Sequence, residues 1–163
     1  MARSGHSAVS WQDKGMLIFG GMNMALETFF DDAWLLAIEA DHGAGTAVRC
    51  SWSQPAVEGV AAVARNSHTA CMIEDGALAG HMVVLGGSDG DGPMVRMQVA
   101  DLTQLPAAIT WSDSQHASCS QIAPREMHSA AVLGRLSTVC YMLVRFSSIG
   151  ITVFGPPPTS AKI

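Results

Sequence analysis

Charged residues are scarce in this chain, and most of them are acidic. Only 14% of the 163 residues are charged, and 9 lysines and arginines stand against 14 aspartates and glutamates, which gives a net charge of −5. This balance excludes a nucleic-acid role that depends on neutralising phosphates. Because 48% of the residues are hydrophobic, the chain is also too apolar to be a disordered protein.

Targeting signals and cysteine pairs are also missing. The first six residues contain no apolar stretch of the kind that a secretory signal needs. The longest apolar run, from Val139 to Phe154, is short for a bilayer and contains Arg145, so we expect no membrane span. The four cysteines form no C-x-x-C pair, which favours reduced thiols and a cytoplasmic location; they are Cys50, Cys71, Cys119 and Cys140.

An internal repeat organises the chain. In three places an arginine is followed three residues later by a histidine, and then by a hydroxyl residue and an alanine. The histidines are 62 and 60 residues apart, a spacing that is hard to produce by chance. The three motifs are Arg3 with His6, Arg65 with His68, and Arg125 with His128.

The first two units continue with the same further features. A short apolar run ends in a glycine pair, which predicts a buried strand followed by a turn that needs either positive φ or a close approach of another backbone segment. A middle segment and then a tryptophan-bearing segment follow, so that each unit contains four predicted strands with polar turns between them. The glycine pairs are Gly20-Gly21 and Gly86-Gly87, and the tryptophans are Trp52 and Trp111. Four short strands in each repeat are typical of a β-propeller blade.

These motifs resemble those of the kelch repeats. Kelch blades carry a glycine pair after an apolar strand and a tryptophan in the fourth strand, and they commonly open with an Arg-x-x-His segment. The resemblance covers about residues 2 to 133 and implies an all-β fold of kelch-type propeller blades. We expect two complete four-stranded antiparallel blades, at about residues 1–63 and 64–122, and part of a third at 123–133, in an incomplete ring.

The third unit loses the repeat pattern after Gly134. No glycine pair follows in the expected place, and the nearest candidate, Gly155, precedes three prolines. Residues 134–163 are therefore either a degenerate last blade or a non-homologous, proline-containing tail from a truncated or misread gene model.

No constellation in the sequence predicts catalysis, a cofactor or a metal. The repeat register puts His6, His68 and His128 on separate blades, which favours a structural role for each. The loop around Asp89 and Asp91 lacks the third oxygen ligand and the distal glutamate of a calcium loop. Copper-radical oxidases of kelch-like architecture need two tyrosines, whereas this chain has only Tyr141.

The resemblance implies a non-catalytic scaffold for protein–protein interaction. The alternatives are an enzyme-associated or catalytic kelch-like propeller, and a truncated remnant without independent function. We expect the partner to be another protein rather than a nucleic acid or a membrane, with self-association through unpaired blade edges also open. The candidate contact residues lie in loops on one face of the predicted propeller: Met22, Met24, Phe29, Phe30, Ser67, Asp89 and Asp91.

Overall fold

The first repeat unit forms one antiparallel sheet. The computed structural model describes residues 1–40, 48–113, 124–136, 139–145 and 151–154. The first sheet has the order β1-β2-β5-β6. These strands are β1 (Ser7–Trp11), β2 (Gly15–Phe19), β5 (Ala33–Ala40) and β6 (Val48–Ser53), and a short hairpin of β3 (Met22–Asn23) and β4 (Thr28–Phe29) lies between β2 and β5.

The second unit repeats this sheet and adds a strand to its edge. Its order is β7-β11-β10-β9-β8, from β7 (Ala56–Gly59), β8 (Thr69–Ile73), β9 (His81–Leu85), β10 (Met97–Asp101) and β11 (Ala108–Asp113). A 3₁₀ turn, Gly76–Leu78, lies between β8 and β9. Strand β7 pairs in parallel with β11 and is additional to the four strands predicted for the unit. The segment that joins the two units is therefore partly a strand of the second sheet.

The third unit forms a three-stranded antiparallel sheet of order β12-β13-β14. Its strands are β12 (Ser129–Leu136), β13 (Val139–Arg145) and β14 (Ile151–Phe154). The prediction of an all-β chain built from two complete propeller blades and an incomplete third is confirmed. No helix in the described part of the chain is both long enough and apolar enough to cross a membrane.

The main hydrophobic core lies between the first and second sheets. Side chains alternate along each strand, so β9 turns Met82 and Val84 toward the first sheet and Leu85 toward the third. Phe19 packs against Trp111 with ring centroids 4.7 Å apart. The buried members of this core are Val9, Leu17, Phe19, Ala33, Leu35, Met82, Val84, Ala100, Leu102, Ile109 and Trp111. Stacking of one sheet on the next thus supplies the burial that a single sheet cannot.

The glycine pairs are required by close packing between sheets. Gly20 and Gly86 have φ values of 66° and 63°, a conformation that other residues adopt only with strain. A Cβ atom on Gly20 would lie 2.7 Å from the carbonyl oxygen of Arg65, and one on Gly86 would lie 2.6 Å from that of Arg125. The absence of a side chain at each glycine therefore leaves room for the Arg-x-x-His turn of the following sheet.

One predicted strand begins later than its alternating pattern indicates. In the second unit, the alternating residues from Met94 to Val99 predict the middle strand, whereas β10 begins at Met97. The Met94 amide donates instead to the carbonyl oxygen of Gly87, at 2.8 Å, which closes the loop after the glycine pair. Phe30 makes the equivalent bond to Gly21 in the first unit, at 2.9 Å. The same loop-closing hydrogen bond therefore occurs in both units, and it holds Met94 in the loop instead of in the strand.

Candidate functional site

The Arg-x-x-His turns and the loops after the glycine pairs lie at the same end of the sheets. This follows from the antiparallel register, in which the first residue of β1 pairs with the last residue of β2 and β8 pairs with β9 in the same way. We call this end the Gly-Gly face. Its described residues are 2–6, 20–32, 65–68, 86–96 and 124–128.

Backbone hydrogen bonds join neighbouring blades across the Gly-Gly face. The Gly21 amide donates to the carbonyl oxygen of Arg65 at 2.8 Å, and the Gly87 amide donates to that of Arg125 at 2.9 Å. Because the same bond occurs at both junctions, the Arg-x-x-His turn has a fixed position relative to the preceding blade.

A second set of backbone bonds links the three turns themselves. The Ser67 amide donates to the Gly5 carbonyl oxygen at 2.8 Å, and the Met127 amide donates to that of Ser67 at 2.9 Å. These three residues occupy the same repeat position and share positive φ values of 65°, 53° and 54°. Ser67, a predicted contact residue, is half-buried there, whereas Met127 is 78% exposed.

The first two motif arginines turn inward and cap the strand that ends in Gly-Gly. One guanidinium nitrogen of Arg3 donates to the Gly20 carbonyl oxygen, and one of Arg65 donates to that of Gly86, both at 2.9 Å. Arg3 also forms a bidentate pair with Asp32. Burial alone would raise the pKa of Asp32, but hydrogen bonds from Arg3 and Trp34 and the charge of Arg3 lower it overall.

Arg65 is fully buried and is held mostly by neutral acceptors. Beyond Gly86, it donates to the Gln98 side chain at 2.8 Å and to the carbonyl oxygen of Arg96 at 3.0 Å. Burial, followed by the charge of Arg96, lowers the pKa of Arg65 to about 10, although Asp113 and Asp89 oppose this shift. The guanidinium therefore stays charged at neutral pH and stabilises the fold from within.

Gln98 is a site residue that the sequence pattern does not predict. It is fully buried, and its side chain also accepts from the Val63 amide at 2.9 Å and donates to Asp113 at 3.1 Å. Strand register places Gln98 where the first blade has Trp34. The sequence did contain a sign of its role, because a polar residue stands at a strand position where the first blade has an aromatic residue.

The second and third motif histidines bind the hydroxyl residue of the preceding blade. His68 Nε2 lies 2.8 Å from Ser7 Oγ, and His128 Nε2 lies 3.0 Å from Thr69 Oγ1. Burial, together with the charge of Arg65 and neighbouring histidines, lowers the pKa of His68 to about 3. Burial and Arg125 lower that of His128 to about 4. Both imidazoles are neutral at physiological pH.

The hairpin after Gly20-Gly21 contains four of the predicted contact residues. Met22 is half-buried, and its sulfur accepts a hydrogen bond from the Asn66 side chain at 3.0 Å. Phe29 is half-buried beside Gly90 of the next blade, and Phe30 lies 4.3 Å from the guanidinium of Arg3. Met24 is 73% exposed.

The loop after Gly86-Gly87 presents two carboxylates to solvent. Asp89 and Asp91 are both exposed, and a carboxylate oxygen of Asp89 accepts from the Asp91 amide at 3.1 Å. This bond closes a tight turn at the tip of the loop. Among the described residues, no group of three His, Cys, Asp or Glu side chains is arranged to hold a metal ion.

Comparison with protein-family models identifies the family to which these repeats belong. Residues 1–144 match the model of the KLHDC2/KLHL20/DRC7 kelch-repeats domain. The chain belongs to the kelch-repeat family. No curated protein sequence matches it significantly. Kelch domains generally bind other proteins. In this kelch chain, backbone hydrogen bonds between the blades hold the Gly-Gly face together, and the tips of its loops are exposed.

Proposed function

We propose that this kelch-repeat chain is a non-catalytic protein-interaction scaffold and that its Gly-Gly face is the binding surface. The observation that carries the proposal is the pairing of apolar and acidic groups on that face. Met24, Leu26 and Met127 are 73%, 60% and 78% exposed. Large apolar side chains that share one exposed face are typical of a protein-binding surface, and methionines adapt to varied partner shapes.

The charges on this face favour a cationic partner. Its exposed carboxylates are those of Glu27, Asp31, Asp89 and Asp91. The guanidinium groups of Arg3 and Arg65 are turned inward, and the exposed Arg96 is paired with Asp113 at 2.7 Å. Arg125 is half-buried. A partner segment that carries lysine or arginine beside apolar residues therefore fits the described part of the face.

The geometry of the histidines supports a structural role rather than catalysis. A histidine within hydrogen-bonding distance of a serine also occurs in hydrolase active sites, but there a third group orients the imidazole through Nδ1. In His68 and His128, Nδ1 is buried and has no hydrogen-bond partner among the described residues. An imidazole with a pKa of about 3, as in His68, is also a weak general base near neutral pH.

The test uses the full chain and two fluorescent peptides, one alternating lysine with leucine and the other alternating glutamate with leucine. We expect the lysine peptide to bind more tightly, and its affinity to fall as salt is added. The double variant Asp89→Lys/Asp91→Lys should weaken this binding by about tenfold or more, which corresponds to about 1.4 kcal/mol.

A matched control reverses two charges at the opposite end of the sheets. Asp13 lies in the turn between β1 and β2, and Glu74 lies in the loop between β8 and β9; both are exposed. Asp13→Lys/Glu74→Lys changes the net charge by the same amount and should leave binding of the lysine peptide nearly unchanged. Equal loss in the two double variants, or equal binding of the two peptides, would show that the Gly-Gly face is not a selective site.

A further inference from the structure

Three aspartates of the second unit are followed directly by a glycine. An aspartate in this position rearranges without an enzyme, because glycine has no side chain to hinder the attack of its amide nitrogen on the neighbouring carboxyl group. The reaction requires that the carboxyl group and the amide nitrogen meet, so hydrogen bonds to either group slow it. The three pairs are Asp75-Gly76, Asp89-Gly90 and Asp91-Gly92.

Both reacting groups of Asp89-Gly90 are held by hydrogen bonds. A carboxylate oxygen of Asp89 accepts from the Asp91 amide at 3.1 Å, and the Gly90 amide donates to Ser88 Oγ at 3.4 Å. Ser88 is itself fixed, because it is buried and exchanges two backbone hydrogen bonds with Asn66, at 2.9 and 3.0 Å. The attack of the Gly90 nitrogen on Asp89 therefore requires that both side-chain bonds break.

The groups of Asp91-Gly92 are not held in this way. In the part of the chain that the structure describes, the Asp91 carboxylate and the Gly92 amide take part in no hydrogen bond or ion pair. The Asp91 side chain is exposed, and a Cβ atom on Gly92 would have no other atom within 4 Å. The space around this peptide bond is open, so the carboxyl group reaches the amide nitrogen without displacing a neighbour.

The backbone at Asp75-Gly76 is held by a turn. Gly76 begins the 3₁₀ turn, and its carbonyl oxygen accepts from the Ala79 amide at 3.2 Å. The Gly80 amide donates to the Ile73 carbonyl oxygen at 2.8 Å and closes the loop. Rotation of the peptide group between Asp75 and Gly76 therefore disturbs a hydrogen-bonded turn.

We propose that Asp91-Gly92 is a site of spontaneous isoaspartate formation. The Gly92 amide nitrogen attacks Cγ of the protonated Asp91 side chain, the carboxyl C–OH bond breaks, and the hydroxyl leaves with the amide proton as water. Water then adds to the main-chain carbonyl carbon of the resulting succinimide and breaks its bond to the Gly92 nitrogen. The chain now runs through Cγ, and the former main-chain carbonyl has become a free carboxylate. The water released is regained, and no oxidant or cofactor is consumed.

The ends of this loop are fixed, so the change stays local. Ser88 and Pro93 pair as an antiparallel bridge, and the Met94 amide donates to the Gly87 carbonyl oxygen at 2.8 Å. The isoaspartyl linkage lengthens the main chain by a methylene group and moves the carboxylate. Because Asp91 lies on the Gly-Gly face, older molecules present a different loop tip there while their blades stay folded. The reaction proceeds whether or not this face binds a partner.

The test incubates the full chain at neutral pH and follows the peptide of each Asp-Gly pair by chromatography and mass spectrometry. An isoaspartyl peptide keeps its mass but elutes separately, and the protease Asp-N does not cleave before the rearranged residue. We expect isoaspartate to form at Asp91 about tenfold or more faster than at Asp89, because hydrogen bonds hold both reacting groups of Asp89-Gly90. Asp75 should also react more slowly than Asp91. In a synthetic peptide of residues 86–96, where the fold is absent, Asp89 and Asp91 should react at similar rates.

Two charge-conserving variants of the same loop complete the test. Asp91→Glu should abolish the product at this position, because a glutamate must close a larger ring, which forms much more slowly. Asp89→Glu is the matched control and should keep the reaction at Asp91. Urea unfolding of the aged chain should match that of the fresh chain. Reaction at Asp91 that is no faster than at Asp89 or Asp75 in the folded chain would overturn the proposal, as would a product that persists in Asp91→Glu.

Discussion

Mild acid should destabilise this chain through the two histidines that lie between its blades. His68 and His128 have folded-state pKa values of about 3 and about 4, against an ordinary histidine pKa of 6.5. Below pH 6.5 the unfolded chain therefore binds protons that the folded chain does not. This linkage lowers the free energy of unfolding as the pH falls toward the folded pKa values, and it contributes almost nothing above pH 7.

The size of the effect follows from these shifts. Between pH 7 and pH 4.5, each histidine should remove about 2.5 kcal/mol of stability, because one pKa unit corresponds to about 1.4 kcal/mol. The two together should remove about 5 kcal/mol, which is a large part of the typical stability of a domain. Asp32, whose pKa is lowered from 3.8, loses its stabilising charge only below this pH window.

The assay is urea unfolding, followed by tryptophan fluorescence, at half-unit steps from pH 7.5 to pH 4.5. His68→Gln should reduce the pH dependence by about half, because it leaves only one buried imidazole. His6→Gln is the matched control, since His6 has the same motif position but is exposed. An unfolding free energy that stays constant over this range, or a slope that His6→Gln reduces as much as His68→Gln does, would refute the reasoning.

Three further predictions concern the packing and the buried hydrogen bonds of the blades. Trp111→Ala should cost about 3–5 kcal/mol in urea unfolding, whereas Trp52→Ala at the half-exposed repeat position should cost about 1 kcal/mol or less; equal costs would contradict the burial difference. Gly20→Ala should lower the thermal midpoint more than Gly76→Ala, because both glycines have positive φ but only a Cβ at Gly20 meets a neighbouring blade; similar midpoints would argue against the contact. Arg65→Met should cost about 3 kcal/mol by leaving buried acceptors without a donor, and a smaller loss than that of Trp52→Ala would show that water replaces the guanidinium.

Local pattern was enough to predict the blades. Each of the first two units was expected to contain four strands in a fixed order, and both sheets have those strands as neighbours in that order. The glycine pairs were expected at turns with positive φ or a close backbone approach, and Gly20 and Gly86 show both. These features were predictable because alternation, apolar runs and glycine turns depend on residues close together in the sequence.

The details of the candidate site were less predictable. Phe29 and Phe30 were expected as contact residues, but both are half-buried by neighbours from other segments, Gly90 and Arg3. Gln98 was not predicted as a site residue, yet its side chain forms hydrogen bonds to Arg65, to Asp113 and to the backbone before the second blade. Such contacts join residues 15 to 61 positions apart in the chain, and no local pattern encodes them.

The repeat, the four strands of a blade and the residues at which each blade turns follow from the sequence alone. The burial of Trp111 and the half exposure of Trp52 depend on the packing of the blades, as do the hydrogen bonds of Ser7 and Thr69 to the histidines of the following blade. The tertiary structure also places β7 in parallel with β11. The physical reason is that a repeated motif specifies the same side chain in every blade, whereas burial and hydrogen bonding depend on which blade lies next to it.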